Sequence, residues 1–154
     1  RNHPASLDPR IKSHNFLNNI LARIEADRAL YHEVVLRNLE GQLTEGTVSN
    51  LLFVEEGVLC TPSVQAGILD GITRETVIRL ARSAGLKVKE GRFRPGNLEG
   101  ADEAFLSSSL QEIVPVTGMN NETIGTGRVG AWTKKLMSAY RQYVAAYVKE
   151  RTSA

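Results

Sequence analysis

Apolar residues Phe16, Leu17, Ile20, Leu21 and Ile24 recur at helical spacing, so a helix is predicted from Ser13 to about Arg28. Ser13 or Asn15 is placed to cap it, which leaves Lys12 at the junction just before the helix. Val34-Val35-Leu36 reads as a short strand and residues 38–41 as a turn. Leu51 to Val54 and Val58 to Thr61 form an expected hairpin around Glu55-Glu56-Gly57. Thr73 opens a second helix whose buried face is Val77, Ile78, Leu80 and Ala81, and Gly85 ends it. Leu86 to Lys89 alternates like a half-buried strand, and Pro95 to Gly100 is a connection or a short helical turn. Glu103 to Ser107 and Glu112 to Val116 are expected strands flanking Ser108-Ser109-Leu110. Residues 118–127 read as a polar turn region. Trp132, Leu136, Met137, Tyr140, Val144 and Tyr147 give the last helix one apolar face, expected as core or interface. Strands interleaved with helices make the class α/β or α+β.

Residues 1–11 are polar and carry Pro4 and Pro9, so they read as a linker or extended entry segment before one domain over 12–151. A chain of 154 residues is long enough for one core, and its 42% hydrophobic and 23% charged content is that of a globular protein. Net charge +2 gives no ground for nucleic acid or membrane as a partner. Cys60 is the only cysteine, which rules out an internal disulfide and fits a reducing compartment. Its strand-like setting suggests a buried thiol rather than a nucleophile. His3, His14 and His32 lack metal-ligand spacing, so no metal is expected. No apolar run reaches spanning length and no secretory signal leads the chain, so the expected location is the cytoplasm.

Four places could carry chemistry. Lys12 is a surface charge on the plain reading; as a functional group it is an amine that can condense with an aldehyde. That chemistry needs the free amine, which burial or nearby positive charge would favour. Glu45 is an ordinary loop carboxylate unless it faces a cationic group; the small residues Gly46, Thr47 and Ser49 beside it permit close backbone approach. Gly71-Ile72-Thr73 leads into a helix, where unpaired N–H groups form an anion site, although an N-cap threonine is the plain alternative. Ser107-Ser108-Ser109 is a polar strand end or a cluster of hydroxyls for a ligand.

The order of these elements resembles the class IV aminotransferases. The family pattern runs here through Glu45, Thr47, Asn50, Thr61 and Gly71-Ile72-Thr73-Arg74, and the resemblance covers nearly all of residues 10–150. Leu52 departs from it, since the family usually has an aromatic residue there. The resemblance implies pyridoxal 5′-phosphate as cofactor and the large C-terminal domain of PLP fold type IV, a pseudo-barrel with flanking helices. It implies that Lys12 joins the cofactor aldehyde and moves the proton at the substrate carbon, and that Glu45 pairs with the pyridine nitrogen. Leu69 would pack on the ring, the N–H groups of Ile72 and Thr73 would bind phosphate with the Ser109 hydroxyl, and the backbone of Leu110 would lie near the substrate carboxylate. A small amino substrate and a homodimer are implied partners. The family's smaller N-terminal domain is expected to be absent from this chain, which opens at Arg1, and with it an arginine that clamps the phosphate.

Segments 13–19 and 109–115 look most like 4-amino-4-deoxychorismate lyase, an enzyme of folate synthesis that releases pyruvate and 4-aminobenzoate. Residues 127–133 look more like D-amino acid transaminases. Phe16 stands where branched-chain transaminases carry a tyrosine hydroxyl, which counts against that branch. The lyase is therefore the leading expectation, the transaminases are the alternative, and a cofactor-free scaffold or inactive fragment is the non-enzyme reading.

Overall fold

The computed structural model describes residues 7–152. Residues 1–6, with His3 and Pro4 of the expected entry segment, lie outside the described residues, as do 153 and 154.

The hairpin forms the centre. Strands β1 (Asn50–Glu55) and β2 (Val58–Pro62) pair antiparallel, with Phe53 opposite Cys60. Glu56 and Gly57 both take positive φ, 51° and 72°, the pair of left-handed conformations that matches strand twist in a two-residue turn. Helix α1 (Leu17–Arg28) precedes them. After β2 and one 3-10 turn, helix α2 (Ile72–Ser83) carries the chain across to β3 (Lys87–Gly91), which lies parallel to β2. A short helix α3 (Pro95–Glu99) leads to β4 (Glu103–Ser108), antiparallel to β1, and β5 (Glu112–Val116) pairs outside it. The sheet order is β3-β2-β1-β4-β5. A second small hairpin, β6 (Gly118–Met119) with β7 (Glu122–Thr123), precedes the final helix α4 (Ala131–Thr152).

Central strand β1 is buried on both faces, so its alternation separates two cores rather than core from water. Leu51 and Phe53 meet Leu43, Phe93, Leu98 and Leu106 on one side. Leu52 and Val54 meet Val77 and Ala81 of α2, Leu136 of α4 and Phe105 on the other. Leu52, the departure from the family pattern, is thus a packing residue beneath the two helices. Helix α2 ends in a hydrogen-bonded cap: Gly85 has φ 85°, its N–H donates to the Arg82 carbonyl, and the Leu86 N–H donates to the Ala81 carbonyl.

Several expectations are corrected. Helix α1 begins at Leu17 with Phe16 at its N-cap and no side-chain cap, so neither Ser13 nor Asn15 fills that role. Its apolar stripe faces outward: Leu17 is 65% exposed and Leu21 54%, while Asn19 and Ala26 are buried. On the inner side the Asn19 side-chain amide donates to the Thr47 carbonyl and Arg23 reaches toward Glu33. Residues 34–36 form no strand; Leu36 is held by its N–H to the Glu45 carbonyl and its own carbonyl accepting from Thr44. Helix α2 starts at Ile72 behind Gly71, not at Thr73. The strand expected from Leu86 is shifted to Lys87 because Leu86 closes the helix cap. The expected polar turn over 118–127 contains β6 and β7. The face of α4 buries Leu136 fully and Trp132, Met137 and Tyr140 in part, while Tyr147 is exposed.

Candidate active site

A cleft of about 360 Å³ opens where the segment before α1, the loop leading into β1, the turn before α2 and the end of β4 meet. Its floor is a carboxylate. Glu45 is 5% exposed. Its Oε2 accepts from the Leu69 N–H at 3.0 Å and from the Asn50 amide Nδ2 at 3.3 Å. The short loop after Glu45 is closed by the Gly46 N–H donating to the Ser49 carbonyl. Glu33 fastens it from outside: one carboxylate oxygen accepts from the Thr47 hydroxyl at 2.7 Å, the Thr47 N–H at 3.3 Å and the Val34 N–H at 2.9 Å. Sequence reasoning missed Glu33, because its partner lies fourteen positions along the chain and no local spacing marks it.

Helix α2 supplies the opposite end. Gly71 at its N-cap has no side chain to satisfy the first N–H groups, and those of Ile72 and Thr73 have no intrahelical acceptor by helix geometry. They line the cleft with the Thr73 side chain, itself 4% exposed. Ser107, Ser108 and Ser109 line the same region from the end of β4. Arg74 secures the turn from behind, with Nη2 donating to the Pro62 carbonyl at 3.0 Å and to Glu90 at 2.7 Å.

The sequence-derived candidates Lys12, Glu45, Leu69, Ile72, Thr73 and Ser109 all line this one cleft. Leu110 does not; it sits in the β4–β5 turn with its side chain 96% exposed. Lys12 is at the rim and exposed, so the burial its chemistry calls for is not provided by the described residues. Cys60 lies inside the sheet, where burial first and the Glu55 carboxylate second push its thiol above the usual range, away from nucleophile chemistry.

The donor set selects a ligand type. Two buried hydroxyls in the cleft wall, Ser49 Oγ and Ser107 Oγ, have no partner among the described residues. Buried polar atoms without partners are costly, and a polar ligand would satisfy them. An anion suits the α2 start and the serines, a cationic N–H suits Glu45, and a carbonyl suits the Lys12 amine. A flat, nitrogen-bearing ring with an anionic arm and an aldehyde matches all three.

Comparison with known proteins agrees with this chemistry. The family model described as amino-transferase class IV matches residues 1–119. The chain is 37% identical over 126 residues to the branched-chain-amino-acid aminotransferase of Escherichia coli, covering 82% of this chain and 41% of that protein. It is 34% identical over 142 residues to the aminodeoxychorismate lyase of Bacillus subtilis, covering 92% and 48%. The crystal structure of the branched-chain amino acid aminotransferase of Thermobaculum terrenum, in its PLP-bound holo form, superposes with TM-score 0.91 at 40% identity, covering 94% of this chain and 48% of that one. The chain thus spans about half the length of the relatives it matches.

Proposed function

The chain belongs to the class IV aminotransferases, and from that premise we propose that it is the cofactor-holding part of an enzyme that uses pyridoxal 5′-phosphate. The observation that carries this is the buried Glu45 carboxylate facing across one cleft to the start of α2. When bound, the cofactor supplies an electron sink for the substrate carbon beside the amine. Glu45 would keep the ring nitrogen protonated, Leu69 would pack on the ring, and the N–H groups of Ile72 and Thr73 with the Ser109 hydroxyl would hold the phosphate. Lys12 would hold the cofactor through its amine and, as a free base, would move a proton at the substrate carbon. The backbone of Leu110, in the turn that follows the cleft edge formed by Ser107, Ser108 and Ser109, would meet the substrate carboxylate. Residues 12–151 act as one unit in this reading.

The reaction we favour is amino transfer from an amino acid with an uncharged side chain. The exposed cleft residues Ile11, Val48 and Ile72 are apolar, and Lys12 is the only lysine or arginine among the described cleft residues. The lyase is the second reading, favoured by segments 13–19 and 109–115. Pairing of two copies and a cytoplasmic location belong to the same proposal. Among the described residues no helix is long and apolar enough to cross a membrane.

The test is borohydride reduction of the chain with added pyridoxal phosphate, followed by peptide mapping. A pyridoxyl group on Lys12 is expected; labelling spread over several surface lysines, or none, overturns the assignment. Product analysis then separates the reactions: an oxo acid from an amino acid donor supports transfer, whereas 4-aminobenzoate and pyruvate from aminodeoxychorismate support the lyase.

A further inference from the structure

Asn50 touches both ends of the cleft. It is buried at the start of β1, held by its register opposite Ser107 and by a backbone bridge to Glu45. Its side-chain Nδ2 donates to Glu45 Oε2 at 3.3 Å and to the Leu69 carbonyl at 2.9 Å. The Leu69 N–H donates to that same Glu45 oxygen, so amide, carboxylate and turn close into one ring of bonds. The other polar atom of the amide lies against the turn before α2. Asn50 Oδ1 occupies the space beside Gly71, where an added Cβ would come within 2.0 Å of it. Gly71 has an ordinary extended backbone, φ −80° and ψ 130°, which any residue adopts. Glycine is therefore required there by Asn50, not by backbone conformation.

We infer that Asn50 is a positioning residue that ties the Glu45 carboxylate to the first turn of α2, fixing the spacing between the ring-nitrogen end and the phosphate end of the cleft. The inference rests on the proposed cofactor reading for its functional consequence, but the mechanical link stands on its own. The Asn50 amide orients Glu45 through a donated N–H, which an oxygen cannot replace. Asn50→Asp keeps the shape, loses both donations and sets a second carboxylate against Glu45.

The experiment is a double-mutant cycle with Asn50→Ala, Gly71→Ala and the pair, read in two ways. Urea unfolding of the unliganded chain reports the contact itself. Pyridoxal phosphate titration, followed by the absorption of the bound ring, reports the site. Gly71→Ala is expected to lower stability and to weaken cofactor binding by roughly tenfold in the native background. In the Asn50→Ala background it should do neither, because the clash is gone. Asn50→Asp is expected to bind as weakly as Asn50→Ala and to alter the ring spectrum. Additive effects of Asn50→Ala and Gly71→Ala in the unfolding cycle would overturn the link, as would native-like binding and spectrum in Asn50→Asp. If the native chain takes up no pyridoxal phosphate, the cofactor reading fails, while the unfolding cycle still decides the inference.

Discussion

Arg74→Ala is expected to be among the most damaging single changes in the domain. The guanidinium is 2% exposed. It donates from Nε to the Thr61 hydroxyl at 3.2 Å, from Nη2 to the Pro62 carbonyl at 3.0 Å and to Glu90 at 2.7 Å, and from Nη1 to Asp70 at 3.3 Å. These bonds differ in weight. The Asp70 side chain is 69% exposed, so that pair contributes under about 1 kcal/mol. The Pro62 carbonyl bond lies in buried surroundings and is charge-assisted, worth about 1.5–3 kcal/mol. The Glu90 bond is shorter, yet its partner is 38% exposed and can regain water. Removing the side chain also leaves a hole beneath α2, so the total is about 3–5 kcal/mol. For a domain of this size that lowers Tm by roughly 10 °C. Trp132, the single tryptophan, packs against the core beneath α2 and α4 and reports unfolding by fluorescence in urea. Arg74→Lys keeps the charge without the planar fork and should lose roughly half as much. Arg82→Ala is the control: Arg82 is 59% exposed, meets Glu90 at 3.4 Å, and should cost under about 0.5 kcal/mol. A loss below about 1 kcal/mol for Arg74→Ala, or a loss equal to that of Arg82→Ala, would refute the weight placed on the buried bonds.

Two further outcomes are expected. Glu103 caps α4, with Oε1 accepting from the Trp132 N–H at 3.0 Å and Oε2 from the Thr133 N–H and hydroxyl at 2.7 Å each; Glu103→Ala should cost about 2–3 kcal/mol in urea unfolding, and a change under about 0.5 kcal/mol would remove the cap from the account. The raised Cys60 thiol keeps its proton in the fold while the unfolded thiol ionises near 9, so its contribution to stability is full below that pH and is lost as pH rises toward the higher folded value. Iodoacetamide at pH 8 should label it in urea but scarcely in the native chain, and the alkaline loss should shrink in Cys60→Ala; fast native labelling would show the thiol to be accessible.

What the sequence made legible was local or motif-bound. The Glu56-Gly57 turn and the Gly85 cap are each written within a few residues, because positive φ at fixed offsets needs glycine or a tolerant neighbour. The cleft residues came from the order of Glu45, Gly71-Ile72-Thr73 and Ser109, and the structure brings them to one cleft. Contacts between distant positions were not legible. Glu33 on the Thr47 loop and Asn50 against Gly71 are single polar residues whose roles exist only once the turn before α2 lies beside β1. The strand expected at 34–36 failed for a related reason. Its β-branched residues fit a strand, but Leu36 gives its bonds to Thr44 and Glu45, and the segment serves to brace the loop instead.

Helix α1 shows the deeper limit. A period of 3.6 residues marks a helix and its apolar stripe, but the same pattern is produced by a stripe that enters a core and by one that stays outside it. Here Asn19 and Ala26 take the inner side, where the Asn19 amide donates to the Thr47 carbonyl, and Leu17, Ile20, Leu21 and Ile24 are exposed. Asn19 and Phe16 also line the cleft. The start of α1 therefore lines the site through Phe16 and Asn19, while Leu17, Ile20, Leu21 and Ile24 stay exposed. Exposed apolar area of this kind costs about 25 cal/mol per Å² relative to burial. Turning the helix would strip the Thr47 carbonyl of its Asn19 donor, a bond worth about 0.5–1.5 kcal/mol. Asn19 marks the side of α1 that meets the cleft, and the apolar stripe is the side left uncovered by the described residues of a chain spanning about half the length of its relatives.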